Sequence, residues 1–530
     1  MAITSNKMSS ASESQTSEQP AGISARATSI ARFVDRFGLA STWISLLVQQ
    51  VRASDCIDKE WIETDLVATK SFNPEIEDLL TGLSQVEVGV LYEYALAHES
   101  HEARTDEGQF YTPEDIAEVM VRLSKRSTSY VWLDPCCGSG NLSFALAKSQ
   151  DRPWFFLKHR LILVDKDELA LLTAAVQLTV RLAPNSRGVY QALRNKSHLG
   201  DYLLREKGDE TFVIMNPPYV NNMLRPDFES ADARDLYAFF MEKVAKEVGN
   251  FVSITPQSFT NGRKFESLRR ILLRELDTLD ILCFDNVPDN IFRGVKFGSK
   301  NSNHVNSTRA AITIGTRQPR RRRAQAEVRI TPLLRWRSAE RTRFLRGVGK
   351  HLSKIHYEGS GPFPKVGKPQ LKLYRQLSTS KKNLSDLLGG DGTFILHVPS
   401  TPRYFISATK RELNRASVRH LSFVDEDAMN LAYLLLNSEL FYWWWRVVDG
   451  GMSISQETLR SFPIPDGLEV ATELVGALVE SESKSLVTKM NHGMVTENVK
   501  HDDLLVSRLT CWAVHGDAGV LRGIRSNSVF

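Results

Sequence analysis

Val131-Trp132-Leu133-Asp134-Pro135-Cys136-Cys137-Gly138-Ser139-Gly140 is the stretch on which the fold turns. Three apolar residues run into an acid, and a glycine-bearing turn then opens residues 141–148, whose apolar positions have helical spacing. That order predicts a buried strand, a tight turn and a helix. Gly138 and Gly140 would let the backbone approach a ligand closely, and a helix N-terminus favours negative charge.

Outward from this unit the rhythm repeats. Residues 160–164 predict a strand ending at Asp165, and residues 168–182 a helix. Asp201 follows the loop His198-Leu199-Gly200. Further strands are predicted at 212–215, 251–254, 279–284 and 310–314, with helices at 236–248 and 264–276. Strands alternating with helices predict a doubly wound α/β fold, a mostly parallel sheet covered on both faces. Ligands in such folds bind outside the carboxyl ends of the strands, where Asp134, Asp165 and Asp201 all fall. Asp165 suits ribose hydroxyls, and Asp201 could accept from an adenine amine. The chain has neither the Gly-Lys-Ser/Thr of a phosphate loop nor a clean GxGxxG. A nucleoside without a pyrophosphate therefore fits better.

The strand at 212–215 ends in Asn216-Pro217-Pro218-Tyr219. Two prolines lack N–H donors and have fixed φ, so the turn is stiff and its carbonyls stay free to accept. Asn216 adds a side-chain acceptor and Tyr219 a flat face. Together they can grip a planar amine while its ring stacks on the tyrosine.

Composition narrows the class. The chain has 530 residues, 42% of them hydrophobic, which is enough for a large core and two to four domains. No stretch reaches the roughly 18–20 apolar residues of a membrane span. The Ser/Thr/Glu/Gln-rich start lacks a signal-peptide core and is expected to be a disordered tail. Five cysteines form no metal-spaced set, so no metal site is expected and a reducing cytoplasm fits best. Net charge is only +5, but residues 317–350 hold twelve Lys/Arg against two acids, a plausible footprint for a polyanion.

In this order the motifs resemble those of gamma-class DNA adenine-N6 methyltransferases of restriction–modification systems. Gly108-Gln109-Phe110-Tyr111-Thr112-Pro113 resembles the segment that opens their S-adenosylmethionine pocket, residues 134–140 their glycine-rich loop, and Asn216-Pro217-Pro218-Tyr219 their catalytic loop. The resemblance implies a seven-stranded Rossmann-like core with one antiparallel hairpin. It implies S-adenosylmethionine as cofactor, held by Tyr111, Thr112, Asp134, Gly138, Gly140, Asp165 and Asp201. Asn216 and the Pro217 carbonyl would hold the adenine amine, with Pro218 bracing the turn. Tyr219 would stack on the extruded base, with Phe292 as the candidate for its other face. Double-stranded DNA is the implied partner, with a separate restriction endonuclease or specificity subunit as a further one.

The resemblance also implies that the second half reads DNA. The expected layout is a tail at 1–25, a helical region at 26–105, a catalytic domain at 106–318 and a mixed α+β target-recognition domain at 319–530. Arg335, Arg337, Arg343 and Lys368 are its candidate DNA contacts. Short strands are expected at 393–398 and 404–407, and Trp443, Trp444 and Trp445 are read as core. Pro465-Asp466 with Glu482-Ser483-Lys484 formally matches a nuclease site, but Leu474, Val475 and Leu478 are spaced for a helix, so it is discounted. Two readings stay open beside the main one: methylation of protein glutamine amides, which fit the same clamp, and a non-catalytic DNA-binding defence component.

Overall fold

Alternation of side chains across each strand builds the sheet. Phe212 and Ile214 enter one hydrophobic cluster, and Val213 and Met215 enter another. Leu161 and Leu163 likewise face away from Ile162 and Val164. Unbroken apolar runs are what a strand buried on both faces requires.

The computed structural model describes residues 21–99, 112–124, 130–292, 296–297, 300–301, 308–318, 325–491 except 358, 360, 390, 403 and 416, and 494–524 except 517, 522 and 523. One sheet contains β1 (Trp132–Asp134), β2 (Leu161–Asp165), β3 (His198–Leu199), β4 (Phe212–Met215), β5 (Phe251–Pro256), β6 (Thr278–Cys283), β7 (Ala310–Thr316), β8 (Glu327–Ile330) and β9 (Ser353–Lys354). Their spatial order is β9-β8-β6-β7-β5-β4-β1-β2-β3. β7 runs antiparallel to β5 and β6, β9 is antiparallel to β8, and the other pairs are parallel. The sheet thus has nine strands where seven were expected. The expected strands and antiparallel hairpin are present, and β8 and β9 extend the β6 edge. Strand order reverses between β1 and β4, the topological switch point at which open α/β sheets hold ligands.

Helices Ala21–Phe37, Leu39–Arg52, Gln85–Glu99, Glu114–Leu123 and Glu168–Leu182 pack on one face; Leu236–Glu247 and Glu266–Glu275 pack on the other. The N-terminal helices share the core of the sheet: fully buried Trp43 donates from Nε1 to Thr173 Oγ1 at 2.8 Å. Truncating such a residue to alanine costs about 3–5 kcal/mol.

Several sequence expectations are corrected. Residues 21–25, assigned to the tail, begin a helix, while residues 1–20 lie outside the described residues. Residues 74–84 form turns, and the helix begins only at Gln85. The sheet body extends past 318, where the sequence placed a domain boundary. β8, β9 and Phe363 pack with the sheet, and a separate core gathers residues from Val366 to Leu521. The rise in basic residues after 317 did not mark the limit of the core, since Arg335 and Arg341 from that run are themselves buried. Phe394–Pro399 does form a strand, but its antiparallel partner is Val418–Phe423 and not 404–407. The three tryptophans are buried on helix Glu439–Val448, as expected. Glu482 lies on helix Thr472–Lys484 and accepts from Tyr433 Oη at 2.7 Å, away from any nuclease arrangement.

A buried carboxylate fastens the C-terminal body to the sheet. Asp285 follows β6 and accepts from Arg309 Nε (2.7 Å), Arg335 Nε (2.7 Å) and Arg446 Nη1 (2.8 Å). Burial alone would raise its pKa, but the guanidiniums of Arg446, Arg309 and Arg335 outweigh burial and hold it well below the usual carboxylate range. A folded-state pKa below the unfolded value contributes stability that is full above about pH 4 and lost as pH falls. Asp285→Asn, which leaves buried guanidiniums uncompensated, is expected to cost about 3–5 kcal/mol in urea unfolding at pH 7. That deficit should shrink below pH 4 as the wild type loses the same contribution.

Candidate active site

Strand ends, glycines and one amide surround a cavity of about 510 Å³ at the switch point. Thr112, Gly138, Asp165, Asp201, Asn216 and Pro218 line it. Asp134, Gly140, Pro217 and Tyr219 are not among its lining residues and stand behind the wall.

The glycine turn is built by its neighbours. Gly138 N–H donates to Asp165 Oδ2 at 2.7 Å, so the turn after β1 is tied to the end of β2. Gly138 and Gly140 have φ of 51° and 90°. A Cβ at Gly140 would also lie 2.9 Å from Ala174 Cβ, so the helix Glu168–Leu182 can approach only a glycine. Asp134 is fully buried; Oδ2 accepts from Ser143 Oγ at 2.8 Å, while Oδ1 has no hydrogen-bond partner. Burial, opposed by the Ser143 bond and reinforced by Asp165, pushes its pKa to about 7. Asp165 is pushed to about 6 by burial, against the Asp167 and Gly138 N–H groups. Burial, with the two aspartates adding, also raises the Cys136 and Cys137 thiols well above their ordinary value. Neither cysteine is a thiolate at neutral pH.

Asp201 accepts from Leu203 N–H at 2.9 Å and pairs with Lys166 Nζ at 3.0 Å. Sequence reasoning missed Tyr92, Asn141, Lys166, Asp167 and Phe240, which also line the cavity. Asp167 was legible as an N-cap: it accepts from Leu169 N–H at 2.9 Å. It also accepts from the Tyr92 hydroxyl. Asn141 Oδ1 is buried on the cavity wall without a partner, so a ligand donor would satisfy it.

The proline turn joins this cavity to a second group of residues. Asn216 Nδ2 donates to Thr112 Oγ1 at 3.0 Å, linking two segments 104 residues apart. Tyr219 Oη lies 2.9 Å from Asn216 Oδ1 and 3.2 Å from the Ile254 carbonyl. Its ring centroid is 6.3 Å from Tyr237 and 6.2 Å from Phe292, inclined at 78° and 63°. Phe292 is buried, and its ring is too close and too tilted for a flat base to lie between it and Tyr219 in this conformation. Tyr111 lies outside the described residues.

Residues 84–250 match the model of the N-6 DNA Methylase family. Over that stretch the chain is similar to N-6 DNA methylases. Curated relatives are the type II methyltransferase M.VspI of Vibrio sp. (strain 343), 25% identical over 222 residues, and the modification methylase CviBIII of Paramecium bursaria Chlorella virus NC1A, 25% identical over 197 residues. These matches cover 39% and 35% of this chain, and 48% and 46% of the relatives. The chain therefore spans about half the length of the curated relatives it matches. Among solved structures, a DrdV–DNA complex aligns with a TM-score of 0.44 at 12% identity, over 72% of this chain and 44% of that one. No helix among the described residues is long and apolar enough to cross a membrane.

The DNA contacts expected from the sequence divide. Arg335 is corrected: it is 1% exposed and spent on Asp285 and on Tyr442 Oη at 3.0 Å. Arg337, Arg343 and Lys368 are exposed. Arg341 is also internal, bonded to Asp115 and to the Ile291 carbonyl at 2.9 Å. Arg320 to Arg323 lie outside the described residues.

The raised pKa of Asp134 has a measurable cost. Its protonated form is favoured in the folded state, so its contribution is full at low pH and is lost as pH rises through about 7. Asp134→Asn should gain stability relative to wild type from about pH 4 to pH 7, by about 1 kcal/mol per unit, and hold a constant advantage above about pH 8, in thermal or urea melts of the ligand-free protein.

Proposed function

We propose that this chain is a site-specific DNA methyltransferase that transfers a methyl group from S-adenosylmethionine to the N6 amine of an adenine flipped out of duplex DNA. It would serve as the modification enzyme of a restriction–modification system. The observation that carries the reading is the placing of the Asn216 amide and Pro218 on the same cavity as Asp165, Asp201 and Thr112.

The residues fit the cofactor. Asp165 and Asp201 offer acceptors for ribose hydroxyls and an adenine amine, and the unpartnered Asn141 Oδ1 offers another. Thr112, Gly138 and Asn141 would line its bed, with Asp134 and Gly140 setting the turn from behind. When bound, S-adenosylmethionine supplies an electrophilic methyl group on a sulfonium. The protein's part is positioning and electrostatics. Asn216 Oδ1, which accepts from Tyr219 in this conformation, would take the adenine amine as donor instead. The Pro217 carbonyl is proposed as the second acceptor. Carbonyl dipoles stabilise the positive charge that develops on the attacking nitrogen, so no strong general base is needed. Base extrusion costs a few kcal/mol, and stacking on Tyr219 would recover about 1–3 kcal/mol. Phe292 would buttress Tyr219 and stack on the base only after a rearrangement. Arg337, Arg343 and Lys368 are proposed phosphate contacts, and duplex DNA the partner, with a cognate nuclease or specificity subunit as a separate chain.

Asn216→Ala should lower methyl transfer from labelled cofactor to duplex DNA by roughly 10²–10³-fold, with cofactor and DNA binding nearly intact. Unchanged transfer, or transfer to protein and not to DNA, would sink the reading. Asp165 supplies a second check. Ribose hydroxyls favour its ionised form, so cofactor affinity should rise from pH 5 to pH 7 as Asp165, poised at about 6, deprotonates. Calorimetry of Asp165→Asn should show weaker binding with most of that pH dependence gone.

A further inference from the structure

His397 and His420 stand directly opposite each other on strands Phe394–Pro399 and Val418–Phe423. His397 N–H donates to the Thr409 carbonyl at 2.8 Å, and its own carbonyl accepts from Thr409 N–H at 2.9 Å. Its backbone is thus committed to the side away from His420. The histidine pair is therefore of the non-hydrogen-bonded type, in which opposed side chains come closest. The two Nδ1 atoms lie 2.9 Å apart. Glu412, three residues past Thr409, brings a carboxylate oxygen to the same point. One ligand atom from each of His397, Glu412 and His420 lies within 4.8 Å of the others. Glu412 makes no ion pair among the described residues, and Glu412 and His420 are exposed, so the cluster is open to solvent.

The frame behind the cluster is built. Lys410 N–H and Arg411 N–H both donate to the buried carboxylate of Glu482, at 3.0 and 3.2 Å. The segment carrying Glu412 is therefore fixed to helix Thr472–Lys484, while the two histidines are fixed by strand pairing.

We propose that His397, Glu412 and His420 form a binding site for a first-row divalent transition metal, with Zn²⁺ as the fitting ion. Two imidazole nitrogens and one carboxylate are a borderline donor set that suits zinc and disfavours calcium and magnesium, which prefer oxygen cages. Metal–nitrogen bonds of about 2.0–2.1 Å at a tetrahedral angle separate two nitrogens by roughly 3.3 Å. The observed pair needs to open by only a few tenths of an ångström. Three protein ligands leave a fourth position for water. The ion would cross-link the strand pair to segment 409–412 and so stiffen this part of the C-terminal body. The competing arrangement is an imidazole–imidazole hydrogen bond without a metal.

Tag-free full-length protein, stripped with a chelator and dialysed, should take up about one zinc per chain on titration with zinc chloride against a chromophoric competitor, and its melting temperature should rise with metal. His420→Ala should retain almost none, and Glu412→Gln should bind at least roughly tenfold more weakly, both with wild-type circular dichroism. These positions are exposed, so loss of the fold is not expected to confound the result. If the stripped wild type takes up no more zinc than His420→Ala, the site does not exist. If the variants bind as tightly as wild type, the zinc sits elsewhere and the assignment is overturned.

Discussion

One carboxylate holds this molecule together where its two bodies meet. Asp285 leaves the end of β6 and gathers Arg309, which precedes β7, Arg335, which follows β8, and Arg446, from the aromatic helix of the C-terminal body. Four buried charges are costly to desolvate, so such a cluster persists only where bond geometry is good and the remaining donors find partners. Arg446 does so by donating to the Leu333 carbonyl at 3.1 Å. The result is a fixed join between the sheet and the C-terminal body. The segment that carries Phe292 runs directly from it and is gripped from the far side by Arg341, which donates to the carbonyls of Asn290 and Ile291. The aromatic wall beside Tyr219 is thus set by ion pairs that touch no ligand.

Around the cavity the chemistry is of the opposite kind. Asp134 is buried and Asp165 half-buried, neither in an ion pair among the described residues, and desolvation raises the pKa of each. Such local conflict is expected at functional sites. The amide of Asn216 is bonded on both sides, to Thr112 and Tyr219, which fixes the orientation of its side chain.

Much of the core was legible because burial on both faces forces apolar runs and a helix on one face forces a 3.6-residue period. Helix Asn141–Lys148 and helix Glu168–Leu182 agree with their sequence expectations residue for residue. Asp134, Asp165 and Asp201 could be read as an ordered series at the spacing of successive units of an α/β sheet, where a single acid would have read as a solvated strand end. Arg335 could not be read: Arg335 and Trp336 are both buried while Arg337 is exposed, so no strand alternation separates the two arginines, and composition does not say which one is drawn inward. The extent of the sheet body past 318 was not legible for a related reason. Charge density marks no core boundary, whereas β8 and β9 are defined by what they pair with.

By itself the sequence determined the αβ alternation, the glycine turn and the stiff Asn216-Pro217-Pro218-Tyr219 corner, since these depend on local sterics and on side-chain periodicity. Tertiary structure alone decided which acids share a cavity and that Thr112 meets Asn216. It also decided that Asp285 collects three arginines and that His397, Glu412 and His420 converge. Those contacts join residues tens to hundreds of positions apart, and only strand pairing and packing across the folded chain bring such groups within a few ångströms.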